Sequence, residues 1–289
     1  MGVCNMVKSR GDIAFEVLVY AVLLTVGLIC LIPVLFVIAA SVTPYSELLK
    51  NGGFVLIPNK FTDVAYKEML ADGTLSHAMW VTIRMTVLAT AINLIVTTPL
   101  AYSLSRRDLP LGKSMMKIVM FCMLFDAGIV PTYLVVRGTK LINTIWAMII
   151  PTLVSAYNLV IMKAFFEGLP EELFEAAKLD GANEWQIMVN LILPMSLPII
   201  MTIGMYYAVD HWNCYLLSIY YITKDNLKPL QVILRRLLDS SKNAADQELV
   251  PTETLKMAAV CYATAPIIVI YPFIQKYFVK GTLAGAVKG

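Results

Sequence analysis

The chain has 289 residues, 58% of them hydrophobic and only 15% charged, with a net charge of +3. Soluble domains are nearer 45–50% apolar and about 25% charged, and a water-facing globule of this length cannot hide so much apolar surface. An ordinary soluble enzyme is therefore excluded, the small net charge excludes a nucleic-acid footprint, and the chain reads as an all-α, polytopic membrane protein.

A bilayer-spanning helix needs roughly 20 mostly apolar residues, and the sequence offers about six such runs. In chain order they are Ala14–Ala40, Met79–Leu104, Ser114–Val136, Leu141–Phe166, Val189–Ile219 and Leu255–Phe278. Together they make one transmembrane domain over 14–279, with terminal segments 1–13 and 280–289. Pro131, the pair Pro194 and Pro198, and the pair Pro266 and Pro272 interrupt the third, fifth and sixth runs. Neighbouring helices can satisfy carbonyls freed by proline, so kinks are expected rather than breaks. The first run is too long for a signal peptide and lacks an A-x-A cleavage site. Cys4, Cys30, Cys122, Cys214 and Cys261 are scattered, mostly within apolar runs, and read as small buried hydrophobes.

Charge barely orients the chain, because Lys and Arg divide equally between the two sides. The dense, short turn RRDLPLGKSMMK (residues 106–117) gives a weak preference for an inside N-terminus. Residues 41–78 and 220–254 form two long loops on one side, the second with an amphipathic core, LQVILRRLLD. No internal repeat or low-complexity tract occurs.

The loop 167–188, on the opposite side, carries the most information. Its stretch GLPEELFEAAKLDGANEWQIMVNLILP (168–194) predicts two short helices with a hinge. Pro170 suits a helix start, and Glu171 and Glu172 suit the positive end of its dipole. Leu173, Phe174, Ala176, Ala177 and Leu179 supply an apolar, small-residue surface. Asp180-Gly181 ends the first helix, since glycine takes the left-handed C-cap conformation at little cost. Asn183 and Gln186 have the spacing of a capping box for the second, which runs on to Pro194.

Glu175-Ala176-Ala177, three residues, Gly181, nine residues, then Leu191-x-Leu193-Pro194 resembles the EAA loop of ABC importer permease subunits. Leu191 stands where the family more often has isoleucine. GIVPTYLVV (128–136), LINTIWAMIIP (141–151) and the closing YPFIQKYFVKGTLAGAVKG (271–289) are similar to oligosaccharide-type carbohydrate permeases, most closely the polysaccharide and aldouronate branch. Trp212-Asn213 looks like that family's Trp-Asn pair, with Cys214 where an acid is common.

The resemblance implies a coupling helix that docks in a cleft of a cytoplasmic ATPase, which would place the loop and both termini inside. It implies a second, different permease subunit, two ATPase subunits that use ATP and Mg, an extracellular solute-binding lipoprotein and a carbohydrate substrate. Within the loop, Glu175, Ala176, Ala177, Asp180, Gly181, Ala182 and Pro194 would carry coupling: Glu175 by a charged contact, Ala177 by docking as a small residue, Gly181 by permitting the turn.

No cofactor or catalytic site is expected in this chain. Gly112-Lys113-Ser114 imitates the end of a phosphate-binding loop, but Arg107 occupies the position that needs glycine, so the segment reads as a basic turn. With only two histidines, His77 and His211, there is no HExxH, and no GxSxG or metal-binding pattern occurs. Charges within a span cost about 2.5–3.5 kcal/mol at the helix centre. Glu16 and Arg84 are near span ends and can snorkel. Asp126, Asp210 and His211 lie deeper and have two readings, a place on the transport pathway or bonding between helices. Tyr157, Asn158, Tyr206, Tyr207, Trp212 and Asn213 combine the aromatic faces and hydrogen-bonding groups that a sugar needs, and core packing is their alternative. The rival function is a self-sufficient ion-coupled secondary transporter with Asp126 or Asp210 as carrier, which leaves the EAA-like loop without a role.

Overall fold

The computed structural model describes residues 10–106, 108–239 and 253–286. Cys4, Lys8, Arg107, Lys242 and Lys288 lie outside the described residues, as do most side chains from 273 onward, including Lys276 and Lys280 of the closing segment.

Every regular element among the described residues is a helix, with no strand among them. They divide into two compact units, one of residues up to Asp72 with Leu237–Tyr262 and one of Gly73–Arg236 with the chain from Ala263 onward. The first unit holds α1 (Arg10–Ser41), α2 (Tyr45–Lys50) and α3 (Val64–Ala71). At 32 residues, α1 is about 48 Å long by the helical rise, enough to cross a bilayer. Its outward apolar side chains, Phe15 through Leu35, need lipid or another chain around them. Only its C-terminal end is buried, where Ala39 and Ala40 meet Leu48 and Val55, and Phe36 stacks on Phe54 at 5.1 Å. Tyr66 Oη donates to Ser41 Oγ at 2.9 Å, which ties α3 to the end of α1.

The second unit is built on α4 (Thr74–Ser105), a second full-length helix. Three bent pairs follow: α5 (Gly112–Leu124) with α6 (Ile129–Gly138), α7 (Trp146–Thr152) with α8 (Ala156–Glu167), and α10 (Glu184–Met195) with α11 (Leu197–Trp212). Between the last two pairs lies α9 (Glu171–Leu179). Short helices α12 (Leu216–Tyr221) and α13 (Leu230–Asp239) precede α14 (Glu253–Ala286), which spans the boundary between the two units. Three helices are long and apolar enough to cross a membrane, or up to six if each bent pair is one span.

The bends correct the expectation of kinks. Pro266 and Pro272 do lie inside the continuous α14, which runs on to Ala286 beyond the expected span end. The third run, however, turns by 117° between Leu124 and Ile129, three residues before Pro131 reaches the helix. Gly128 sits there at φ 81° and ψ 178°, a conformation essentially confined to glycine. Asp126 Oδ1 accepts the Gly128 N–H at 2.8 Å and closes the turn. The fourth run bends by 50° and the fifth by 81°. In the fifth, Pro194 and Pro198 remove two amides that would have bonded carbonyls four residues back. Residues Ile187–Ile192 adopt π-helical bonding just before that corner, and the buried Ser196 forms it.

The main core joins α4, α8, α9, α10 and α11 through Tyr102, Leu159, Met162, Phe166, Phe174, Ile187, Ile192, Ile203 and Tyr207. A second cluster, with Met85, Val136, Met148, Tyr221 and Ile222, lies toward the other end of α4. The cysteines are less uniform than expected. Cys214 is buried and Cys261 half-buried, but Cys30 and Cys122 are exposed on apolar helices, because membrane helices turn apolar residues outward as well as inward.

Candidate coupling loop and polar cavity

Local sequence chemistry shapes the loop as expected. Helix α9 starts after Pro170, with Glu171 and Glu172 in its first turn. It ends in a Schellman motif: Ala182 N–H donates to Ala177 O, and Gly181 N–H to Lys178 O, each at 3.0 Å. Gly181 carries the required positive φ, 81°, and a Cβ added there would meet nothing within 4 Å. The capping box is complete: Gln186 N–H donates to Asn183 Oδ1 and Asn183 N–H to Gln186 Oε1, both at 2.9 Å.

Tertiary contacts decide which face of α9 turns inward. Phe174 is buried, with its ring stacked on Tyr102 at 6.5 Å and the Arg106 guanidinium 4.2 Å above it. Tyr102 also meets Phe166 edge-on at 6.3 Å. Past the hinge, Tyr102 Oη donates to Glu184 Oε2 at 2.7 Å, and Lys178 pairs with Glu184 Oε1 at 3.0 Å. The tyrosine hydrogen bond, with lesser help from Lys178 and Arg106, holds the Glu184 carboxyl below its ordinary range. One residue of α4 thus grips both halves of the loop.

The outward face carries Glu175, Ala176, Asp180, Leu179 and Trp185, with Leu179 89% and Trp185 68% exposed. Ala177 and Ala182 are half-buried against the core, so the small size of Ala177 serves contact with this chain's own body. Pro194 is exposed at the corner before α11. Phe174 was legible only as one apolar residue among several, and Tyr102, Arg106, Glu184 and Trp185 carried no sequence signal for this role beyond their proximity to a basic turn or a capping box.

The second site is a cavity of about 420 Å³ beside the C-terminal half of α11, lined by Tyr207, Asp210, His211 and Asn213 together with Thr152, Ser155 and Tyr215. Two polar contacts fix α11 against α4. The hydroxyls of Thr97 and Tyr207 bond at 2.8 Å, and Tyr207 Oη also accepts the Ser155 N–H at 3.0 Å. Asn93 Nδ2 lies 3.1 Å from His211 Nε2 and 3.2 Å from Thr152 O. A carbonyl only accepts, so the amide donates to both, and the histidine proton sits on Nδ1. Asn93 Oδ1 and Trp212 Nε1 are buried without a partner among the described residues.

The other pathway candidates fall elsewhere. Asp126 is exposed in the α5–α6 break, away from this cavity, and its Oδ1 accepts the Gly128 N–H of its own turn. Tyr157 is 55% exposed, Asn158 is buried at the start of α8, and Tyr206 is half-buried against the main core. Trp212 is buried next to the cavity residues without lining it. Thr152, Ser155 and Tyr215 were not singled out in the sequence, because Pro151 and the N-cap Ser155, which mark the α7–α8 bend that delivers the first two, lie inside a run that hydropathy reads as continuous. Among the described residues no group of three or more His, Cys, Asp or Glu is placed to hold a metal ion.

Residues 2–283 match the family described as binding-protein-dependent transport system inner membrane component. The polygalacturonan/rhamnogalacturonan transport system permease protein YtcP of Bacillus subtilis (strain 168) is 41% identical over 95% of this chain and 98% of its own length. Protein LplC of the same organism is 38% identical over 99% of this chain and 98% of its own. A solved bacterial ABC transporter involved in the import of the acidic polysaccharide alginate has a chain that superposes with a TM-score of 0.87 at 27% identity, covering 95% of this chain and 100% of that one. The chain belongs to the family of binding-protein-dependent transport system inner membrane components, and is a transport subunit rather than a catalyst.

Proposed function

We propose that this chain is one permease subunit of an ATP-driven importer that carries an oligosaccharide across the cell membrane by alternating access. It pairs with a second permease, with two ATPase subunits that bind ATP and Mg, and with an extracellular solute-binding lipoprotein. Both termini and the 167–188 loop lie on the cytoplasmic side. The observation that carries this reading is the loop itself: a rigidly capped helix whose inner face is bolted to α4 while Glu175, Ala176, Leu179 and Trp185 point away from the body. Two exposed large apolar side chains on a short loop fit a contact with another protein.

The cavity at Tyr207, Asp210, His211 and Asn213 is this subunit's share of the pathway. Its lining holds no Lys or Arg, so it suits hydroxyls and ring faces better than carboxylates.

The test is Gly181→Trp. Gly181 faces open space but holds a φ of 81°, so the indole both strains the turn that glycine permits and adds bulk where the ATPase would sit, without striking this chain's own core. Membrane insertion is expected to persist while co-purification of the ATPase subunits and uptake are lost. Retained ATPase binding with normal uptake would overturn the assignment.

A further inference from the structure

The basic turn between α4 and α5 opens on a cavity of about 590 Å³ that includes Arg106, Lys113 and Lys163 with Glu167 as its one carboxylate. Glu167 is already paired with Lys163 at 2.5 Å. Lys113 and Lys117 form no ion pair among the described residues. Leu111, at the rim, holds a positive φ of 63° and is 76% exposed, an unusual backbone conformation for a bulky residue.

Lys113, Met116 and Lys117 also line a second, shallow and otherwise apolar groove of about 550 Å³ that runs along one face of α5 past Met120, Phe121, Leu124 and Phe125. Phe121 and Phe125 stack at 4.7 Å and are 60% and 64% exposed. No residue of α5 is buried by the rest of the chain. From Lys113 to Phe125 the helix rises about 18 Å, close to the roughly 15 Å of hydrocarbon in one leaflet.

We propose that this continuous feature binds one anionic phospholipid, its phosphodiester headgroup on Lys113 and Lys117 beside Arg106, and one acyl chain along the groove of α5. The charge selects the head, because Lys113 and Arg106 face a cavity whose one carboxylate, Glu167, is paired with Lys163, and Lys117 follows one helical turn on, where the groove begins. The groove selects the tail, because its length matches one leaflet and its lining offers almost nothing polar. A basic pocket between membrane helices at headgroup depth is a recognised setting for such lipids. Arg106 connects this site to the coupling loop, since the same guanidinium lies over Phe174.

The test uses the full chain purified with its accompanying subunits, examined by native mass spectrometry during titration with phosphatidylglycerol or phosphatidylcholine. Phosphatidylglycerol is expected to be retained preferentially. Lys113→Gln with Lys117→Gln should weaken that retention about 25-fold, roughly fivefold per lysine. Lys113→Arg with Lys117→Arg should preserve it, which separates lost charge from lost folding. A photo-reactive residue in place of Phe121 should label lipid. Equal retention of both lipids, unchanged retention in the glutamine pair, displacement by inorganic phosphate alone, or capture of a protein subunit at Phe121 would each overturn the proposal.

Discussion

Removing the Phe174 ring should undock α9 while leaving the rest of the chain folded. The ring is 4% exposed and is the one buried side chain of α9. Truncating a buried phenylalanine costs about 3–5 kcal/mol, including the cavity left behind. Its stacking on Tyr102 and the Arg106 guanidinium above it are lost as well, each worth about 0.5–1.5 kcal/mol. These contributions overlap, and a nine-residue helix at the edge of the core can partly collapse into the space. We therefore expect about 3 kcal/mol for Phe174→Ala, or roughly a 150-fold shift in the docking equilibrium. Hydrogen exchange reads this directly, since amides of a docked segment are protected by its local opening free energy. Protection over 171–182 should fall by about two orders of magnitude, with α4 and α11 unchanged. Phe174→Leu keeps most of the apolar volume and should lose only about fivefold, near 1 kcal/mol. ATP-driven uptake should follow the same order. Protection of α9 within twofold of the parent in Phe174→Ala would refute the anchoring argument.

Two further perturbations address the contacts around the sites. The Glu184 carboxyl is held below its ordinary value of 4.5, so its contribution to loop docking is fully present above that value and lost as pH falls through the lowered one. Proteolytic resistance of the loop should stay flat from neutral pH to about 5 and decline in stronger acid, and Glu184→Gln should weaken docking near neutrality and flatten the acid limb. On the opposite face, Asn143 Oδ1 accepts the Thr223 N–H at 2.7 Å, the Thr223 hydroxyl at 2.9 Å and the Lys224 N–H at 3.1 Å from a left-handed backbone position, φ 62°. Asn143→Ala should cost about 1–3 kcal/mol and raise exchange over 221–225, whereas Asn143→Asp, which keeps the acceptor, should largely preserve protection; equal exchange in both would count against the clamp.

The sequence was readable wherever a few neighbouring residues settle the backbone. Pro170, Glu171 and Glu172 open a helix, Gly181 supplies a positive φ, and Asn183 with Gln186 caps the next, all without tertiary help. The directions of the membrane helices were not readable, because hydropathy reports composition and says nothing of where a run turns. Asp126-Ala127-Gly128 was the missed clue: an acid two residues before a glycine inside an apolar run can close a turn with its own side chain. The inward choice of Phe174 over Leu179 depended on Tyr102, more than seventy positions earlier in the chain. The cavity was half legible for a similar reason: Tyr207, Asp210, His211 and Asn213 share one helix end, but the residues facing them arrive through the α7–α8 bend, whose Pro151 and capping Ser155 are masked by the apolar run around them.

The three cross-links between α4 and the segments leading to and through α11 lie at successive levels: Asn93 to His211, Thr97 to Tyr207, and Tyr102 to Glu184. Along α4 they cover about 14 Å. Only the first two fasten α4 to α11 itself, and both are buried; the third holds α10, on the far side of the 81° corner at Ser196. A push that reached α4 through Tyr102 would therefore arrive at α11 by the two buried rivets rather than along the bent chain, and the wall of the cavity would turn with it.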